Sequence, residues 1–184
     1  MTEKIQVYDV QSRQTCFVRC CLRMFRTGIM DKFLDVAKEN NLDEDLPDDK
    51  PELELVNATD DPAELVNLCR KLKTPRGNDA LTEKILADQE RTMPVLIEKF
   101  YRNTFDHFID NAVLIFAYCD EKYVDEVLKN YNNIRSELAK CEFCVVLGFR
   151  KRTDCVDFLK QELKNLGHDK NYKTGPEVAL EELI

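Results

Sequence analysis

A pattern of apolar and polar residues recurs along the second half of the chain at a spacing of 32 residues. Residues 123–125, Tyr-Val-Asp, align with residues 155–157, Cys-Val-Asp, and the apolar residues 112–115 align with 144–147. Each unit reads as an apolar helix, a short polar turn and an amphipathic helix. Because one such pair cannot bury its own apolar face, neighbouring pairs are expected to stack on one another.

Turn-forming residues are scarce, with 5 Gly and 6 Pro among 184 residues. All-β folds need many turns, so this scarcity argues against them. Hydrophobic residues make up 43% of the chain and charged residues 34%, which suits helices that have one apolar and one polar face. The composition therefore predicts an all-α fold.

The chain is expected to form a single α-helical domain over residues 1–184, in three parts. Residues 13–41 are interpreted as an N-terminal helical hairpin, because two apolar helical patterns flank Thr27-Gly28. Residues 42–61 are interpreted as an exposed acidic connector, with a short helix inside it as the alternative. Residues 62–184 are interpreted as stacked helix pairs.

Proline positions predict several helix boundaries. Pro47 and Pro51 are expected to interrupt any helix in the acidic connector. Asp61-Pro62 is typical of a helix start, with Asp as the cap and Pro at the first helical position. Thr74-Pro75 has the same character, and Pro94 is predicted to begin another helix.

The clearest unit, residues 137–167, resembles a HEAT-like repeat of the armadillo type. Its first helix ends near the small residue Gly148, and a short turn leads to a second helix with an Asp cap and paired leucines. The tail YKTGPEVALEEL is similar to the opening of another unit. The resemblance implies an α-solenoid, a superhelix of stacked antiparallel helix pairs, and it implies a protein-binding scaffold more often than an enzyme. An irregular helical bundle is the alternative fold.

Charge and hydropathy restrict the partners. The formal net charge of −8 disfavours general binding to phosphate backbones, so a nucleic-acid partner is not expected. The N-terminus has no apolar signal-peptide core, and the longest apolar run spans eight residues, 112–119, whereas a membrane helix needs about 20. We therefore expect a cytoplasmic protein without a membrane partner.

One group of basic residues is a candidate binding site for an anion or an acidic partner. Three arginines near the N-terminus are spaced to share a helical face, and two more follow the predicted helix that ends near residue 149. These arginines are Arg19, Arg23, Arg26, Arg150 and Arg152. The favoured alternative is that they pair with the chain's own acidic residues at 43–54, since the opposite charges are already present.

The eight cysteines are interpreted mainly as apolar core residues. Cys141 and Cys144 form a CxxC motif, but it lies within a helix rather than at the helix N-terminus where redox pairs are found. The cluster of Cys16, Cys20 and Cys21 lacks a histidine at metal-ligand spacing. A metal- or redox-responsive protein is kept as one alternative function, with no metal residue or cofactor assigned.

No catalytic constellation is evident in the sequence. His107 has no marked nucleophile or paired acid beside it, and acid pairs such as Glu181-Glu182 are interpreted as solvated surface. No phosphate-binding loop or hydrolase motif occurs. The sequence therefore predicts a non-enzymatic helical-repeat scaffold that binds a protein or peptide on its concave surface. The other alternative is an anion or nucleic-acid binder that uses the arginine stripe.

Overall fold

The computed structural model describes residues 48–166 and 174–183, which form nine α-helices and three 3-10 helices with no β-strand among them. The α-helices are α1 (Lys50–Ala58), α2 (Pro62–Asn67), α3 (Pro75–Ala87), α4 (Gln89–Arg102), α5 (Asp106–Tyr118), α6 (Glu121–Lys129), α7 (Glu137–Phe149), α8 (Val156–Leu166) and α9 (Gly175–Leu183). The 3-10 helices are Leu68–Arg70, Tyr131–Asn133 and Thr153–Cys155. The all-α prediction is confirmed for these residues, and the hairpin predicted at 13–41 lies outside them. None of the described helices is both long and apolar enough to cross a membrane.

Side-chain caps fix two of the helix starts that the sequence predicts. The Asp61 carboxylate accepts a hydrogen bond from the backbone N–H of Glu64 at 2.9 Å, with Pro62 at the first position of α2. The Thr74 hydroxyl accepts from the backbone N–H of Gly77 at 3.0 Å at the start of α3. Both caps satisfy an N–H that has no partner within its own helix.

Helix α1 lies within the range that we interpreted as an exposed acidic connector. Pro51 does not interrupt it, because it occupies the first turn, where a missing backbone N–H has no cost. Val56 is buried, and the Glu52 carboxylate accepts hydrogen bonds from the backbone N–H groups of Lys73 (2.8 Å) and Thr74 (3.0 Å). The described part of the connector is therefore a short packed helix, the alternative that the sequence left open.

The prediction that Pro94 begins a helix is wrong, because α4 starts at Gln89 and continues through Pro94. Proline at this point removes one backbone hydrogen bond, the one that would run to the carbonyl of Glu90. Four apolar residues of the same helix, Met93, Leu96, Ile97 and Phe100, are fully or almost fully buried. Their packing holds the helix together across the proline.

Alternate helices contact one another along the chain. Helix α1 contacts α3, α3 contacts α5, α5 contacts α7, and α7 contacts α9. Among the even-numbered helices, α2 contacts α4 and α4 contacts α6. Each helix therefore packs mainly on the helix two positions away, as well as on its neighbour in sequence.

The apolar core is continuous through the described helices, and α5 lies at its centre. Residues 112–117 of α5 are all buried, which confirms that this apolar run belongs to the middle of a packed layer. The rings of Phe100, Phe116 and Phe143 join α4, α5 and α7, with centroids 5.0 Å apart for the first pair and 5.9 Å for the second. Such edge-to-face pairs contribute about 0.5–1.5 kcal/mol each beyond the area they bury.

Helices α7 and α9 approach closely through two glycines. A Cβ atom on Gly148 would lie 2.5 Å from the Cα of Ala179, and one on Gly175 would overlap the carbonyl of Cys141. Any larger side chain would force the two backbones apart. The small residue that the sequence places near the end of α7 is therefore required by packing.

Candidate functional site

Arg150 is buried at the end of α7 and is fully engaged by the neighbouring unit. Its guanidinium donates to the backbone carbonyls of Phe116 (3.1 Å), Ala117 (3.1 Å) and Cys119 (2.9 Å), which are the free carbonyls at the end of α5. It also forms an ion pair with Glu121, and its side chain is only 14% exposed. No donor of this arginine is left to face a ligand.

Arg152 is likewise surrounded by carboxylates of the chain. Its guanidinium donates to both oxygens of Asp154 (2.8 and 2.7 Å), to Asp125 (2.8 Å) and to Glu121 (2.5 Å). The side chain is 16% exposed. Neither Arg150 nor Arg152 pairs with the described acidic residues at 48–54, and their partners come instead from α6, from the turn before it and from the Thr153–Cys155 helix.

The same kind of contact joins the preceding turn to this one. The Gln89 side chain accepts a hydrogen bond from the backbone N–H of Asp120 (2.7 Å) and donates to the Asp120 carboxylate (3.4 Å). Partners in this set are about 31 residues apart, so each turn is tied to the turn of the next unit. The residues that we call the turn ladder are Gln89, Asp120, Glu121, Arg150 and Arg152.

The turn ladder changes the meaning of the predicted arginine site. Two of its five members, Arg150 and Arg152, have structural partners, and the structure brings them together at one turn. The other three, Arg19, Arg23 and Arg26, lie outside the described residues. The described part of the chain therefore shows no anion site at these arginines.

The described cysteines lie in surroundings that favour the neutral thiol. Burial raises the pKa of Cys69 to about 12 and the pKa of Cys155 to about 11, and it also raises the pKa of Cys141 and Cys144. Cys144 is buried within α7, near the Tyr131 hydroxyl at 3.7 Å. Within 48–166 and 174–183, no group of three or more His, Cys, Asp or Glu side chains is placed to hold a metal ion.

His107, in the first turn of α5, bridges to the preceding unit. Its Nε2–H donates to the backbone carbonyl of Leu72, so this nitrogen is occupied. Burial raises the pKa of the nearby Glu52 carboxyl, but hydrogen bonds from Thr74 and Lys73 and the proximity of His107 lower it more, and the net shift is downward. The histidine therefore has a structural partner on one side and a carboxylate on the other.

Three side-chain oxygens form the polar feature that sequence reasoning missed. The Oδ1 atoms of Asn78 and Asp110 and the Oε2 atom of Glu142 are buried and have no hydrogen-bond partner. The residues are 32 apart in sequence and lie in the second turns of α3, α5 and α7, which contact one another in that order. We call Asn78, Asp110 and Glu142 the acceptor row.

The two acids of the acceptor row are held away from their usual ionisation. Burial raises the pKa of Glu142 to about 8, and the nearby charge of Asp110 adds to the shift. Burial raises the pKa of Asp110 to about 6, with Asp106 adding to the shift and His107 opposing it. Glu142 is 1% exposed, so water cannot solvate its charge. At neutral pH Glu142 is mostly neutral, and Asp110 is mostly ionised.

The signal for the acceptor row was present in the sequence. The 32-residue spacing that aligns residues 112–115 with 144–147 also aligns Asp110 with Glu142, and it reaches Asn78 one unit earlier. Glu142 also stands out as a charged residue between Cys141 and Phe143 in an otherwise apolar segment. A polar residue at the same position of three successive apolar helices was the available indication.

Comparison of the chain with protein-family models, with curated proteins and with solved structures finds no match to any of them.

Proposed function

We propose that this chain is a non-enzymatic helical-repeat scaffold of the HEAT-like type, in which stacked antiparallel helix pairs form a concave surface that binds a protein or peptide. Three properties support the repeat. Helices contact the helix two positions away, the turn ladder joins successive turns at a spacing near 31 residues, and the acceptor row recurs at 32. This order of contacts is what stacked helix pairs require.

The acceptor row is the observation that carries the binding function. A buried polar atom without a partner is costly, about 1–3 kcal/mol each, and native proteins contain few of them. Three at equivalent positions of three contacting helices form a line of acceptors rather than isolated packing faults. An extended segment that crosses α3, α5 and α7 would supply hydrogen-bond donors to each in turn.

The partner that fits this row carries donors and positive charge. The row contains two carboxyl groups and an amide oxygen, and the chain as a whole is acidic, with a formal net charge of −8. Phosphate groups would be repelled here, whereas a basic peptide or a basic protein loop would be attracted. No observation of the described residues favours the anion-binding or the metal- and redox-responsive alternatives.

Selection of peptides on the full chain tests the proposal directly. A random dodecapeptide display library is panned on the protein, the enriched peptides are synthesised, and their Kd values are measured by fluorescence polarisation. We expect enriched peptides whose affinity falls at least about ten-fold in the Asp110→Asn/Glu142→Gln double variant, since about 1.4 kcal/mol of lost interaction has that effect.

The matched control removes two negative charges elsewhere. Glu98 and Asp157 have side chains that are 67% and 100% exposed, so the Glu98→Gln/Asp157→Asn variant changes the net charge equally without touching the acceptor row. It should bind the selected peptides nearly as well as the original chain. Failure to enrich any peptide, or equal losses in both double variants, would contradict the proposed binding face.

A further inference from the structure

The Asp110 and Glu142 pair is the most demanding part of the acceptor row. Glu142 is a fully buried carboxyl group with one oxygen unpartnered, and the nearby Asp110 also has an unpartnered buried oxygen. Burying two acids together without donors is unfavourable, because neither can ionise freely beside the other. A fold that serves only for packing would be more stable with apolar residues at both positions.

The described surroundings of the pair offer it no cation. The arginines nearest in sequence to α7, Arg150 and Arg152, are held in the turn ladder. His107 influences Asp110 but donates its Nε2–H to Leu72. The missing donor must therefore come from outside these contacts.

The chemistry of the pair selects among possible ligands. A divalent metal ion would need six or more oxygen ligands, and no metal-ligating group of three or more side chains exists among the described residues. A guanidinium group has five donors in a planar fork, which suits two carboxyl groups side by side. It is also more weakly hydrated than an ammonium group, so it enters a buried site at lower cost.

We propose that an arginine side chain of the bound partner enters between α5 and α7 and forms hydrogen-bonded ion pairs with Asp110 and Glu142. This inference rests on the proposed function and names the group that anchors the ligand. The neutral Glu142 carboxyl gives its proton to the solvent as the guanidinium arrives, so one O–H bond breaks and a carboxylate–guanidinium pair forms. Binding is therefore coupled to proton release.

Proton release can be measured with a selected peptide that contains arginine. Isothermal titration calorimetry at pH 7, in buffers with different ionisation enthalpies, gives the number of protons released per peptide bound. We expect a value approaching one, roughly 0.9, since a carboxyl group with a pKa near 8 is mostly protonated at that pH and ionised in the complex. The peptide in which that arginine is replaced by citrulline, a neutral group of the same shape, should bind at least ten-fold more weakly and release almost no protons.

Variants of the protein identify the source of the proton. Glu142→Gln should abolish proton release, and Asp157→Asn should leave it unchanged. Circular dichroism and thermal melts check that Glu142→Gln is folded, and Asp110→Asn serves as a second variant that should weaken arginine binding more than citrulline binding. A peptide with lysine in place of arginine should bind with intermediate affinity.

The outcomes separate this inference from the proposed function. If peptides bind the acceptor row but the arginine and citrulline forms have equal affinity, the arginine anchor is wrong and the scaffold function stands. Proton release that persists in Glu142→Gln would also overturn the anchor. If no peptide binds the full chain, the scaffold function itself fails and the anchor fails with it.

Discussion

The turn ladder and the acceptor row follow the same helical units, yet they treat their polar groups in opposite ways. In the turn ladder, Arg150 donates to three carbonyls and a carboxylate, and Arg152 to three carboxylates. In the acceptor row, each residue has a buried oxygen without a partner. A satisfied polar network holds units together, whereas an unsatisfied one carries a cost that folding does not explain. The comparison separates polar residues that stabilise the stack from those available to a ligand.

The largest effect is expected from breaking the turn ladder at Arg150. Arg150→Met removes the donors to Phe116, Ala117 and Cys119 and leaves Glu121 with one fewer partner. We expect a loss of roughly 3 kcal/mol in the free energy of unfolding, because the stranded groups lie in partly buried surroundings. Urea denaturation measures this value.

Arg102 is the matched control for this prediction. Its side chain is 68% exposed and pairs only with Glu98 one turn away, so Arg102→Met should change stability by less than about 0.5 kcal/mol. Comparable losses at Arg102 and Arg150 would show that the turn ladder has no special role.

The acceptor row should respond in the opposite direction. Glu142→Gln is expected to raise the free energy of unfolding at pH 7 by roughly 2 to 3 kcal/mol, because glutamine needs no proton to stay neutral. The folded-state pKa of Glu142 is raised from 4.5 to about 8, so its burial has no ionisation cost below pH 4.5. Stability is then lost as the pH rises from 4.5 to 8.

The difference between the original chain and Glu142→Gln isolates this one group. It should be near its minimum below pH 4.5, increase with pH and level off above about pH 8. Chemical denaturation at a series of pH values gives the curve. A constant difference across this range would mean that Glu142 ionises normally in the fold.

The two side-chain amides give a smaller and more direct comparison. Gln89 forms two hydrogen bonds with Asp120, so Gln89→Ala should destabilise the fold by about 1 kcal/mol. The Oδ1 atom of Asn78 has no partner, so Asn78→Ala should change stability by less than about 0.5 kcal/mol. Thermal melts of both variants suffice, and a larger loss at Asn78 would show that its amide is bonded in the free protein.

The smallest effect is expected at Lys151, beside the turn ladder. Lys151 has a φ of 59°, which favours glycine, and its N–H bonds to Gly148 in a helix-ending motif with Arg152 bonded to Leu147. Lys151→Gly relieves the strained backbone but removes the contact of Lys151 with Glu182. We expect a net gain of about 0.5 kcal/mol, which differential scanning calorimetry can resolve. A net loss would show that the Glu182 contact outweighs the strain.

Local signals in the sequence were sufficient where a single side chain decides the structure. Asp61 and Thr74 start helices because each caps a nearby N–H, and such caps are visible within four residues of sequence. The all-α fold also followed, because the apolar spacing and the lack of turns act along the whole chain. These features depend little on distant residues.

Other features depend on residues that are far apart in the chain. The helix around Glu52 was not recognised because its acids suggested solvent, whereas Glu52 is bound by Lys73 and Thr74, more than 20 residues away. Pro94 was misjudged because buried apolar packing outweighed one lost hydrogen bond. The partners of Arg150 and Arg152 were not identified in advance for the same reason.

The identity of each residue in the acceptor row has a consequence for how an extended ligand would lie. Three identical positions would let a repetitive ligand slide by one unit with no change in affinity. Here one end is a neutral amide, Asn78, the middle is an acid ionised at neutral pH, Asp110, and the far end is an acid that ionises only on pairing, Glu142. The row therefore has a direction, and that asymmetry would fix both the register and the polarity of a bound chain.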